Sequence, residues 1–236
     1  STDSYVADLA HDWADAEWMS SRHERNALRA PMSIYEVHLG SWGRTLREGQ
    51  RFPNYRDLAD PKWRDKIVMP DPITHATTIS WLVGLKEHVF SSETEWMEFL
   101  KGLAKNRPMF VASFGPTPGP IETGEKVIGI SMPKYIVTKA PAPLDWARLN
   151  GEPIMGSARG IAIAKNAKRP NAAKLFVDYW LSEASSRILA EDVGEWVLYE
   201  GVYPPIKDIE KANVIPIREL SDEEIQKWSE VFKTIF

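Results

Sequence analysis

Residues 74–78, Thr-His-Ala-Thr-Thr, put three hydroxyls and an imidazole within five positions, just behind Pro70 and Pro72. Proline fixes φ and donates no N–H, so the pair brackets a turn. The apolar run Lys66–Met69 before it reads as a strand. The residues after it read as a helix capped by Thr74 and Thr77, carrying Ile79, Leu82, Val83 and Leu85 on one side. A helix start of this kind presents free amides and a positive dipole end, which suits carboxylate, sulfate or phosphate. His75 with Ser80 or Thr78 also makes an imidazole–hydroxyl pair, so His75 and Ser80 are the weak candidates for a catalytic role in ester hydrolysis. No nucleophile elbow supports them: Gly40-Ser41-Trp42-Gly43 and Gly156-Ser157-Ala158-Arg159-Gly160 both have the wrong spacing. Of the five histidines (11, 23, 38, 75, 88), His11 and His23 stand too far apart to argue for zinc, and no H-E-x-x-H occurs. With no cysteine in the chain, thiolate chemistry is excluded, and neither a metal site nor a cofactor is expected.

The elements that must position these residues alternate in type. Glu93–Lys105 has Trp96, Phe99, Leu100 and Leu103 at helical spacing. Met109–Phe114 predicts a strand running into the proline- and glycine-rich FGPTPGPIETG. Val127–Ser131 predicts another strand, and Tyr135–Lys139 an edge strand. A strand at Gly160–Ala164 precedes a helix that starts at Pro170 and runs to Leu181. Further helices are expected over Ser185–Asp192 and Asp222–Phe236, the last with Ser221 as N-cap, and a short extended piece over Trp196–Leu198. The class is α/β.

Composition narrows the functions. The 236 residues are 43% hydrophobic and 26% charged, as in globular proteins, and a net charge of −4 argues against a nucleic-acid partner. No run is apolar enough to cross a bilayer, and the first residues do not read as a signal peptide, so the chain as written is expected in the cytoplasm. One asymmetry stands out. Residues 1–61 hold seven arginines and no lysine, whereas from Lys62 onward fifteen lysines face seven arginines. The two parts look drawn from different sequence pools.

Two resemblances follow that division. DLADPKWRDKIVMPDPITHATTISWL, GIAIAKNAKRPNAAKLFVDYWLS and GVYPPIKD make residues 58–236 similar to periplasmic solute-binding proteins of ABC importers, in the group that contains iron(III) and other small-ligand binders. HDWADAEWMSSRHERNAL and SIYEVHLGSW make residues 10–58 similar to glycogen branching enzymes, where the second string is the first strand of a barrel. The later strands that carry that family's catalytic carboxylates are absent, so no glycosidic chemistry carries over. The chain therefore reads as a chimera: a branching-enzyme-derived segment, 1–57, that is no independent domain, and a solute-binding domain, 58–236. The implied fold is a periplasmic-binding-protein type II-like lobe with added C-terminal helices and an incomplete first lobe.

That resemblance implies a ligand in the cleft, held by Thr74, His75, Thr77 and Thr78 at the helix start, by Ser131, Lys134 and Tyr135 after a later strand, and by Ser113. Iron binders of the group carry two adjacent tyrosines where this chain has Lys134-Tyr135, which favours an anion with Lys134 as counter-charge. The expected function is weak binding of a small anion or metal–anion. A weak serine ester hydrolase, or a fragment without function, is the alternative. The parent family is periplasmic or extracellular and works with an ABC importer permease. Ile161, Ile163, Leu175, Phe176, Val177 and Trp180 would lack the first-lobe strands they normally meet, so a homo-oligomer is expected. Ile34, Val37 and Leu39 are expected to pack on the binding-protein body.

Overall fold

In the computed structural model, Ser20 and residues 54–236 are described. The strand expected at SIYEVHLGSW, with Ile34, Val37 and Leu39 and their packing, therefore lies outside the described residues. Residues 54–236 fall within one compact unit, Leu39–Phe236.

A three-stranded parallel sheet lies at the centre. β1 (Ile67–Pro70) is flanked by β2 (Met109–Val111) on one side and β3 (Ile128–Gly129) on the other, with Val68 opposite both Met109 and Gly129. All four β1 residues are buried, as a strand covered on both faces requires. The crossover from β1 to β2 is made by α1 (Ala76–His88) and α2 (Glu93–Lys105). α3 (Pro118–Glu122) precedes β3, and α4 (Lys134–Thr138) follows it. Further on, β4 (Ile154–Gly156) pairs in parallel with β5 (Val214–Pro216), and between them run α5 (Pro170–Trp180) and α6 (Glu183–Glu191). α7 (Asp222–Lys233) closes the described chain.

The core forms where α1, α2 and α7 meet. Trp96 is fully buried; its indole N–H donates to the Leu82 carbonyl at 2.9 Å, and its ring meets Trp228 edge-on at 5.3 Å and Phe232 at 6.1 Å. Leu82, Leu85, Leu100 and Leu103 fill the same layer, each burial worth about 2 kcal/mol. The turn Tyr55–Ala59 packs into this core too. Leu58 is fully buried, and Asn106, itself buried, donates from Nδ2 to the carbonyls of Leu58 (2.7 Å) and Asp60 (2.8 Å). Arg56 pins the turn from outside, bonding Glu95 at 2.8 Å, Glu152 at 3.0 Å and the Val89 carbonyl at 3.0 Å.

Several expectations need correcting. The expected edge strand over 135–139 is instead the helix Lys134–Thr138 with Lys139 as its C-cap: Ile136 N–H bonds back to the Pro133 carbonyl at 2.9 Å and Lys139 N–H to Tyr135 at 3.1 Å. Residues 157–164 carry no strand. They are exposed, no strand among the described residues pairs with them, and a strand exists only as part of a ladder. β4 and β5 went unread because each is three residues long and its partner lies some sixty residues away in sequence. α5 and α6 lie outside the main core, and Leu175 (71% exposed), Phe176 (54%) and Leu181 (64%) face solvent within the described chain. No helix of the described residues is long and apolar enough to cross a membrane.

Candidate functional site

The carboxyl ends of β1, β2 and β3 point the same way, and the chain leaves each through a polar turn. Because β1 connects to β2 on one side while β3 adds on the other, the strand order changes direction between β1 and β3. In open parallel sheets that is where a crevice for ligands forms.

After β1, Asp71 builds the turn. Its N–H donates to the Val111 carbonyl at the end of β2 (2.9 Å), and its carboxylate accepts from Ile73 N–H (2.8 Å) and the Thr74 hydroxyl (3.0 Å). Thr74 is thus exposed and tied to Asp71 rather than capping the helix. The N-cap is His75: Nδ1 accepts from Thr78 N–H at 3.3 Å and lies 2.8 Å from the Thr78 hydroxyl, which is buried. The imidazole stands edge-on to Phe114, centroids 5.0 Å apart. Burial holds its pKa below the usual histidine range. Spent on Thr78, the ring is not brought to Ser80, five positions further along α1.

The turn after β2 sits under this ring. A methyl group placed on Gly115 would lie 3.7 Å from the Tyr135 hydroxyl and 3.8 Å from the Ser113 hydroxyl, so both oxygens converge on the space above that glycine. Ser131, just past β3, reaches the Phe114 carbonyl at 3.5 Å, a weak contact. The structure therefore gathers His75, Ser113, Ser131 and Tyr135 around residues 113–115.

Two expected residues lie elsewhere. Thr77 and Ser80 line a separate cleft of about 170 Å³ whose far wall is Ser157, Ala158 and residues 217–220. Arg218 in that wall is already held by Glu87 (3.0 Å) and Glu224 (2.9 Å), which keeps the Glu224 carboxyl down at about 2. Lys134, meanwhile, is engaged: Nζ lies 3.2 Å from Glu195 Oε1 and over the Tyr135 ring at 5.5 Å, and Arg159 reaches the same Glu195 oxygen at 3.1 Å. Sequence reading missed Glu195 and Arg159, because only the fold brings them beside α4. One local signal existed: Gly194 takes φ +76°, and a Cβ there would come within 2.8 Å of Lys134 Cα, so the backbone before Glu195 presses on α4. Among the described residues no group of His, Asp or Glu is placed to hold a metal ion.

The chain is similar to known proteins in sequence and in fold. A family described as bacterial extracellular solute-binding protein matches residues 13–192, well over half of the chain. The chain belongs to that family. Among solved structures, the ferric binding protein from Campylobacter jejuni superposes with a TM-score of 0.54 at 19% identity, covering 81% of this solute-binding protein and 63% of that chain. A Bordetella ferric binding protein gives a TM-score of 0.52 at 20% identity, covering 77% and 62%. At such identities the likeness is one of fold: mixed α/β, of the periplasmic binding type. A third relative is of another kind. The 1,4-alpha-glucan branching enzyme of Albidiferax ferrireducens is 59% identical over 58 residues, 25% of this chain and 9% of that enzyme. The solute-binding protein thus spans under two thirds of its structural relatives and under a tenth of that curated one.

Proposed function

We propose that this solute-binding protein holds a small anion at the carboxyl ends of β1–β3, and holds it weakly. The observation that carries the reading is the convergence of the Tyr135 and Ser113 hydroxyls on Gly115, beside His75 and Ser131. Neutral donors around an exposed turn suit an oxyanion, since each charge-assisted hydrogen bond contributes about 1.5–3 kcal/mol. The solved relatives are named for ferric ion. Here a single phenol stands beside a lysine, whose ammonium must lose its proton to become a ligand, and this favours the anion over bare iron. Weak binding is part of this reading because the donors stand around an exposed glycine, Gly115, and an open site buries less of its ligand.

In the same reading the chain is a truncated chimera, with its junction near Asp57–Leu58. The change from arginine-only to lysine-rich sequence and the two unrelated sets of relatives support it. Amplification across residues 50–65 from genomic DNA of the source would return an unbroken product if the join is natural, and none if it arose in cloning. The importer permease of the parent family is the partner this reading implies.

Calorimetry with phosphate, sulfate and short carboxylates tests the binding. One of the three is expected to bind with a dissociation constant on the order of 1 mM. Tyr135→Phe should weaken it several-fold, while Thr77→Ala, in the separate cleft, should leave it unchanged. Absence of heat for all three ions would overturn the reading.

A further inference from the structure

Glu195 occupies an unusual position. It follows the turn that ends α6, where Gly194 N–H bonds the Ala190 carbonyl (3.0 Å) and Glu195 N–H bonds Leu189 (2.9 Å). That turn is pressed onto α4, so the carboxylate arrives at Lys134 from a fixed backbone. Lys134, whose ammonium stands over the Tyr135 ring, and Arg159 both end on one oxygen of it, Oε1, at 3.2 and 3.1 Å. Charge-assisted N–H···O bonds close to about 2.7–2.9 Å when optimised, and arginine binds carboxylates best through two oxygens. Here the fork is unused and both contacts are long. Lysine has three donors and arginine five, so most of their capacity is unspent on this partner. Arg159 is 64% exposed and sits on the irregular stretch 157–164, which lets it move.

From this geometry we infer that Glu195 is a built-in competitor for the anion. It rests on Lys134 and Arg159 while the site is empty, and an incoming oxyanion must take both cations from it. The inference rests on the anion reading above and names the residue that sets its selectivity. A ligand carrying enough charge to outbid one carboxylate is admitted; a neutral solute of the same shape gains nothing from the two cations. The competition also makes a free lysine–arginine pair unavailable to stray anions of low charge such as chloride.

The experiment is a phosphate titration by calorimetry on the intact chain. Glu195→Gln keeps the shape of the side chain and removes its charge, and should bind phosphate at least about tenfold more tightly than the native protein, one charge-assisted contact's worth. The gain should vanish in the double variant Lys134→Met with Glu195→Gln. Arg159→Gln, at an exposed position, should fold normally and weaken phosphate several-fold. Equal affinity in native protein and Glu195→Gln would overturn the competitor role and leave the anion reading standing, and so would a lowered melting temperature in Glu195→Gln with affinity unchanged, the mark of a purely structural tether. Phosphate bound by neither protein would overturn the inference, and the anion reading falls with it only if sulfate and the short carboxylates also give no heat. Should Glu195→Gln fail to fold, Arg159→Gln decides alone: unchanged phosphate affinity in that variant overturns the inference.

Discussion

A histidine does the work that threonine was expected to do. Thr74 and Thr77 have the residue type that caps helices, yet the cap is His75, because Asp71 captures the Thr74 hydroxyl first. That competition depends on the conformation of the turn after Pro70 and could not be read from residue types. Thr77, His75 and Tyr135 were legible as candidates. Only the fold shows that His75 and Tyr135 both come to the turn at residues 114–115 while Thr77 faces another cleft. His75→Ala should destabilise the protein by about 1 kcal/mol in urea melts, and His75→Asn, a good N-cap, should restore most of it. Acid probes the same residue. Burial lowers the imidazole pKa below its ordinary 6.5, so on acidification the unfolded chain takes up the proton first. Stability is therefore complete above about pH 6.5 and falls as the pH drops through the lower, folded-state value. His75→Asn should flatten that limb of the curve; an unchanged acid limb would assign it to other groups.

At the level of elements, what was legible had its cause nearby in sequence. The helix over Glu93–Lys105 is found with the expected bounds, since Ser92 caps it and Trp96, Phe99, Leu100 and Leu103 repeat on one face. α7 begins where expected, with Ser221 and Glu224 forming a reciprocal capping box. What failed was longer in range. Ile136 and Val137 favour strand, but Pro133 opens a helical turn there and the backbone at Gly194 seats against it. Residues 160–164 have strand composition and no ladder to join among the described residues. The packing of the Tyr55–Ala59 turn on α2 is another long-range fact, and a testable one. A Cβ on Gly102 would fall 2.6 Å from the Ala59 Cβ, closer than two methyl groups can approach. Gly102→Ala should therefore cost about 1–3 kcal/mol despite its better helix propensity. Ala59→Gly in the same chain should recover the packing part of that loss; additive losses in the double variant would place the strain elsewhere.

For the whole molecule, the α5 face bears on assembly. Phe176, Tyr179 and Trp180 are each 40% exposed or more, beside Leu175 and Leu181, an apolar area larger than isolated surface residues give. We expect self-association through it, and Leu175→Glu with Phe176→Glu should shift the sedimentation coefficient to that of the monomer; a native protein already monomeric at micromolar concentration would sink the expectation. The sheet order carries a different consequence, one of time. β1 pairs with residues 109–111 and 128–129, and the ring of Trp96 packs against Trp228 and Phe232, which are made much later. At about 5–20 residues per second of synthesis, roughly ten seconds pass between making Trp96 and making its cover. Throughout that interval the groove between α1 and α2 stays wet and apolar on the nascent chain, which makes residues 79–103 the stretch where a chaperone would bind during translation.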